Sequence, residues 1–224
     1  MTVGPWAPPT GARVKSVNLG ELVPNPAKGG LTGFGKRPVA GPVQVYAPGP
    51  AKGRSGLDGD AIGDAKHHGG DDQAVYVVAR EDLDRWEAEL GRELVDGSFG
   101  ENLTTTGIDP NGALIGEHWQ VGRQLLLQVT SPRIPCKTFA TRMGENGWIR
   151  RFTEAGRPGA YLRVLQPGPV EAGDPLKVVH RPDHGVSISM AMFALTIKPE
   201  LRHALLEAGD DLPVEVRESA LRAI

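Results

Sequence analysis

The sequence predicts a mainly β fold with some α, ending in a small appendage of three short helices. Three observations predict it. The 224 residues include 30 glycines and 19 prolines, a supply of turns that favours many short elements over long helices. Along most of the chain apolar residues alternate with polar ones or form short runs bounded by glycine and proline, as strands do. After Arg181-Pro182-Asp183-His184-Gly185 the spacing becomes helical. The expected division is a β-rich domain over residues 1–181 and a three-helix domain over residues 186–224.

Composition narrows the function classes. Hydrophobic residues at 39% and charged residues at 23% suit a globular chain rather than a disordered one. A net charge of −2 offers no general attraction to nucleic acid or to an anionic membrane surface, so neither is expected as a partner. One cysteine cannot form an internal disulfide, which fits a reducing cytoplasm. Met1 to Gly11 lacks the basic-then-apolar pattern of a signal peptide, and no apolar run is long enough to span a membrane.

In chain order, Pro5, Pro8 and Pro9 make the first eleven residues a loose arm. Arg13 to Leu19 alternates with period two and reads as a half-buried strand. A turn-rich region follows, and Lys36 to Val45 reads as a short strand pair or strand-turn-strand whose Lys36 and Arg37 either meet an anion or lie solvated. The Asp- and His-rich loop from Gly56 to Asp72 does not match zinc or calcium ligand spacing. Its His68-Gly69-Gly70 turn permits close backbone approach to a ligand, or is an ordinary loop. Ala74 to Val78 is an apolar strand, and Leu83, Trp86 and Leu90 share one face of a helix stopped by Gly91. Phe99 to Gly107 reads as a turn into a threonine-rich strand, with Glu101 and Asn102 free to bind a ligand or to tie down the turn.

Ile115 to Gly122 and Gln124 to Val129 read as consecutive strands, the second apolar enough to be central. Trp148 to Phe152 is a short helix with Arg150 and Arg151, Tyr161 to Leu165 is a strand, and Leu176 to His180 ends the β-rich part. In the tail, Ser187 or Ser189 caps one helix and Pro199 opens a second along Leu201, Leu205 and Ala208. Pro213 opens a third, with Val214, Leu221 and Ile224 on one stripe. Helices this short need packing against each other or the body.

The stretch from Ser131 to Thr138 stands apart, because Pro132 and Pro135 stiffen an extended loop that carries the sole cysteine, Cys136. Arg133 and Lys137 flank it and favour the thiolate, the form that attacks electrophiles and binds soft metals. The alternative is a small apolar side chain that simply packs.

Taken together, Lys36-Arg37-Pro38-Val39, Gly56-Leu57-Asp58-Gly59-Asp60, His68-Gly69-Gly70, Phe99 to Thr104, Ile115-Gly116, Pro132 to Cys136, Gly156-Arg157 and Tyr161 to Val164 resemble the MOSC family (molybdenum cofactor sulfurase C-terminal domain). The likeness is to its stand-alone bacterial YiiM-like branch, whose members add a three-helix tail. Each motif is unspecific by itself, and their ordered succession carries the resemblance. It implies a β-barrel-like domain of the pyruvate-kinase-barrel-like type that binds the molybdenum cofactor in its molybdopterin form. It also implies reduction of N-hydroxylated compounds, N-hydroxylated purines among them, with electrons from a flavoprotein or iron–sulfur donor.

Cys136 would then be the protein ligand to molybdenum, with His68 beside it at the catalytic position. Lys36, His68, Gly69, Gly70, Asn102, Thr104, Arg133 and Arg157 would contact the cofactor, with Arg150 and Arg151 as further cations for its phosphate. Two positions depart from the family pattern: Gln73 stands where lysine is common, and Thr138 where many members have lysine after Pro-Cys-x. Two other functions use the same residues. Cys136 as a persulfide would make a sulfur carrier or transferase, and a protein that stores the cofactor without turnover would be a binding module. No lysine stands out for a pyridoxal phosphate Schiff base. The oligomeric state is open, a homodimer included.

Overall fold

The protein is described here by a computed structural model covering residues 9–222. Most of the expected N-terminal arm, and Ile224 of the last helical stripe, lie outside the described residues.

Twelve strands and five α-helices are present among these residues. The strands are β1 (Arg13–Leu19), β2 (Val23–Pro24), β3 (Leu31–Thr32), β4 (Arg37–Val39), β5 (Val43–Val45), β6 (Val75–Ala79), β7 (Leu103–Thr106), β8 (His118–Val121), β9 (Leu125–Pro132), β10 (Ala160–Gln166), β11 (Gly168–Val170) and β12 (Leu176–His180). The helices are α1 (Arg80–Leu90), α2 (Lys137–Met143), α3 (Trp148–Ala155), α4 (Ile188–Thr196) and α5 (Val214–Leu221). Eight strands form one sheet in the order β12-β8-β9-β10-β6-β7-β1-β4, and the pairs β5–β11 and β2–β3 stand apart from it. Every pairing is antiparallel except β6 with β7, which run parallel because α1 carries the chain back between them.

The expected barrel is not closed. The sheet curls far enough for the start of β1 to meet the turn before β12, through Val14 N to Asp174 O at 2.9 Å and Leu176 N to Ala12 O at 2.9 Å. The β4 edge is not laddered to β12, and one isolated bridge, Arg13 with Pro175, marks the seam. A second expectation is narrowed. Lys36 to Val45 is the strand-turn-strand alternative and not a strand pair, because β4 joins β1 while β5 joins β11 in another sheet. The middle tail helix is a succession of 3-10 turns over Pro199–Leu201 and His203–Asp211, broken at Gly209. Ser187 does cap α4, accepting from Met190 N at 3.2 Å.

Two apolar cores divide the work. The larger fills the concave side of the sheet and includes Trp119, Leu127, Ile188 and Leu205. The second is aromatic. It joins Trp86 of α1, Phe139 of α2, Trp148 and Phe152 of α3, and Phe99, with Phe139 and Phe152 centroids 4.9 Å apart. Each buried ring contributes about 1.5–3 kcal/mol by leaving water. That packing anchors α2, and Cys136 sits at the N-cap of α2.

Candidate functional site

An open cleft of about 670 Å³ lies where β9 ends and β6, β7 and β10 begin. Loop residues Thr32 to Lys36 and Asp60 to Asp64 form one wall, and the turn holding Arg133 and Cys136 forms another. Glycine lets these loops meet backbone to backbone. A Cβ on Gly33 would fall 1.8 Å from Ala61 O, and one on Gly69, whose φ is +83°, would fall 2.5 Å from Arg54 O.

Cys136 is half-buried and lines the cleft. Arg133 Nη2 donates to its Sγ at 3.6 Å. Burial raises the thiol, but Arg133 and the facing amides of Phe139 and Thr138 outweigh it and hold Cys136 below the ordinary thiol range. Those amides favour the anion without forming a capping hydrogen bond. Arg133 is 4% exposed and packs against both Phe34 and Phe139, with centroids 5.8 and 5.6 Å from its guanidinium carbon. Burial works against its charge, yet Tyr161, Cys136 and Tyr76 around it keep it firmly protonated. Lys137, the other flanking cation, is exposed on the first turn of α2.

His68 also lines the cleft. It is pushed down to about 3, first by burial and then by Arg133, and is therefore a neutral imidazole at physiological pH. Its neighbour His67 points outward to Asp64, 3.0 Å away. Lys36 lines the opposite wall, ion-paired with Asp60, and burial pulls its ammonium down against that partner. Asp60 accepts as well from Ser55 Oγ at 2.6 Å, Asn102 Nδ2 at 2.9 Å and Gly20 N at 2.8 Å. Asn102 is tied further by its Oδ1, which accepts from Tyr76 N at 3.1 Å.

Lys36, His68, Gly69, Asn102, Arg133 and Cys136 thus share one cleft. Gly70, Thr104 and Arg157 do not line it. Thr104 is wholly buried behind it, donating to Glu101 Oε1 at 3.0 Å, and Gly70 N is taken by Arg54 O at 3.1 Å. Arg157 lies behind α1, 3.6 Å from Asp82 and over Trp86. Arg150 and Arg151 of α3 pair with Glu154 of the same helix and Glu89 of α1, away from the cleft. Sequence reasoning missed Asp60 as a hub, and with it Ser55, Tyr76 and Tyr161 as lining groups. The Gly-Leu-Asp-Gly-Asp run was the available signal for Asp60.

Among the described residues no group of three or more His, Cys, Asp or Glu side chains is placed to hold a metal ion. No helix among them is long and apolar enough to cross a membrane. A family model for the MOSC domain matches residues 64–177, over half of the chain. The chain belongs to the MOSC domain family. This family is associated with binding of the molybdenum cofactor.

Known proteins are similar to this chain over half of its length or more. YflK of Bacillus subtilis (strain 168), described as uncharacterized, is 34% identical over 180 residues, spanning 80% of this chain and 78% of that protein. A Gibberella moniliformis protein named reductase is 35% identical over 118 residues, 51% of this chain and 21% of the larger protein. The crystal structure of YiiM from Geobacillus stearothermophilus superposes with a TM-score of 0.75 at 27% identity, covering 95% of this chain and 98% of that one.

Proposed function

We propose that this MOSC protein binds the molybdenum cofactor through Cys136 and reduces N-hydroxylated compounds. The observation that carries it is a half-buried, acidified thiol beside a buried guanidinium, both opening on one cleft.

The residues present fit such a cofactor. A thiolate suits a soft metal, and with no cluster of three protein ligands among the described residues the remaining donors would come with the group itself. Gln73 Oε1, in a lining residue, is buried without a hydrogen-bond partner, as in a wall completed by a ligand. Cys136 would hold the metal, Arg133 an anionic oxygen, and Asn102 and the Lys36–Asp60 pair the polar heterocycle. When bound, the cofactor supplies the two-electron couple.

Reduction of an N-hydroxyl group takes two electrons and two protons. The N–O bond breaks, one proton leaves with the oxygen as water, and the other goes to nitrogen. The electrons come from an external flavoprotein or iron–sulfur donor. Arg133 favours the thiolate form of Cys136, the form that binds a soft metal. His68 offers one ring N–H and one lone pair to orient the N-hydroxyl. Because it is neutral, it acts by hydrogen bonding rather than as a strong acid. The apolar wall of Phe34 and Phe99 favours a flat, weakly polar substrate.

The test is metal analysis of wild type and Cys136→Ala expressed with cofactor supply, with N-hydroxylaminopurine reduction by a chemical donor measured on both. Wild type should carry molybdenum and turn over, and the variant should lose about 100-fold or more in rate. Metal-free wild type with labile sulfane sulfur would overturn this reading in favour of the sulfur carrier. Metal without turnover on several N-hydroxylated substrates would leave only the binding module.

A further inference from the structure

The two cations in the cleft wall are not equivalent. Lys36 and Asp60 side chains are 8% and 1% exposed and lie in direct contact. The same carboxylate accepts from Ser55, Asn102 and Gly20, so its acceptor positions are filled and its charge is fixed in place. A second anion approaching the Lys36 ammonium would meet Asp60 at nearly the same range, and the attraction and repulsion would largely cancel. Arg133 is the opposite case. Among the described residues no carboxylate lies within ion-pair distance of it. Its polar contacts are Ile134 O at 3.3 Å, the Cys136 sulfur at 3.6 Å and the Tyr161 hydroxyl, none of them a carboxylate. A buried guanidinium faced by a thiol and two phenols rather than by a carboxylate favours an incoming anion.

We propose that Asp60 sets the polarity of the cleft by neutralising Lys36, so that the anionic end of a ligand seats at Arg133 and its neutral, hydrogen-bonding end lies against Lys36, Asp60 and Asn102. This rests on reading the cleft as the site of a phosphorylated heterocyclic cofactor. It assigns Asp60 as a positioning residue and removes Lys36 from the set of phosphate-binding cations. It also gives the cofactor one orientation, with its charged groups beside the cysteine.

Calorimetric titration of the full chain, purified without cofactor, with inorganic pyrophosphate at pH 7 and low salt tests it. Wild type should bind, and Arg133→Gln should weaken binding about tenfold or more. Lys36→Met should change affinity by less than about threefold, and Asp60→Asn should tighten it at least about fivefold by releasing the Lys36 charge. Lys36→Met leaves a buried carboxylate unpaired and risks the fold, so the double variant Lys36→Met/Asp60→Asn accompanies it and should bind as wild type does. Absence of wild-type binding, equal losses from the Lys36 and Arg133 changes, or no tightening in Asp60→Asn would each overturn the proposal. Molybdenum content is measured separately. A metal-free protein with the expected pyrophosphate pattern would keep the polarity and discard only the cofactor reading.

Discussion

At Lys36, His68 and Glu101 burial decides the charge state, whereas at Cys136 and Arg133 the neighbours do. Glu101 accepts from Gly97 N at 2.6 Å, Phe99 N at 2.9 Å and Thr104 Oγ1 at 3.0 Å, yet burial still pushes it from 4.5 up to about 7. Its folded value therefore lies above its unfolded one. Its contribution to stability is fullest below the unfolded value and is lost as pH rises towards the folded one, a difference on the order of 3 kcal/mol. Tm of the wild-type protein should accordingly fall between pH 5 and pH 8, and Glu101→Gln should flatten that fall in calorimetric scans. An identical slope in the variant would rule this out. At this scale the sequence revealed Cys136, Arg133 and His68, because each carries its own chemical signature beside a proline or glycine. It did not reveal Asp60, whose importance lies in four donors drawn from residues 20, 36, 55 and 102. Nor could it separate Arg133 from Lys137, since which of two flanking cations turns inward depends on where α2 begins.

Elements defined by local periodicity were legible. β1 spans Arg13–Leu19 as its alternation requires, and α1 ends at Leu90 before Gly91, whose φ is 66°. Elements defined by partners were not. α2 follows an extended, proline-rich run and is held by Phe139 in the aromatic core, which no single-stretch pattern announces. The pairing of β5 with β11 joins residues over a hundred positions apart. The cleft wall belongs to this second class, because it exists only where two glycine-bearing loops touch. Gly33→Ala should force those loops apart and cost on the order of 2–4 kcal/mol, whereas Gly185→Ala, with nothing within 4 Å, should stay within about 0.5 kcal/mol. Urea unfolding midpoints measure both, and equal midpoints would contradict the close-packed wall.

For the molecule as a whole, the tail is joined to the sheet through shared core. Val186, Ile188, Ala191, Leu205 and Ala220 belong to the same apolar cluster as Trp119 and Leu127. Gln128 Nε2 of β9 donates to Asp211 Oδ1 at 2.8 Å. Leu205→Ala should lower stability by about 2–5 kcal/mol and shift one cooperative transition, seen alike by tryptophan fluorescence and far-ultraviolet dichroism. Two separated transitions would show instead that the tail melts on its own.

The unlaced seam between β1 and β12 has a geometric consequence. A cylinder of strands has its radius dictated by strand number and stagger, and cannot widen without breaking a whole rung. This sheet escapes that condition, since only a few backbone contacts near Ala12, Val14 and Asp174 hold its margins together. Its curvature is therefore free to follow the side chains packed inside it. A change of side-chain volume in that core can therefore alter the curvature of the sheet without adding or removing a strand.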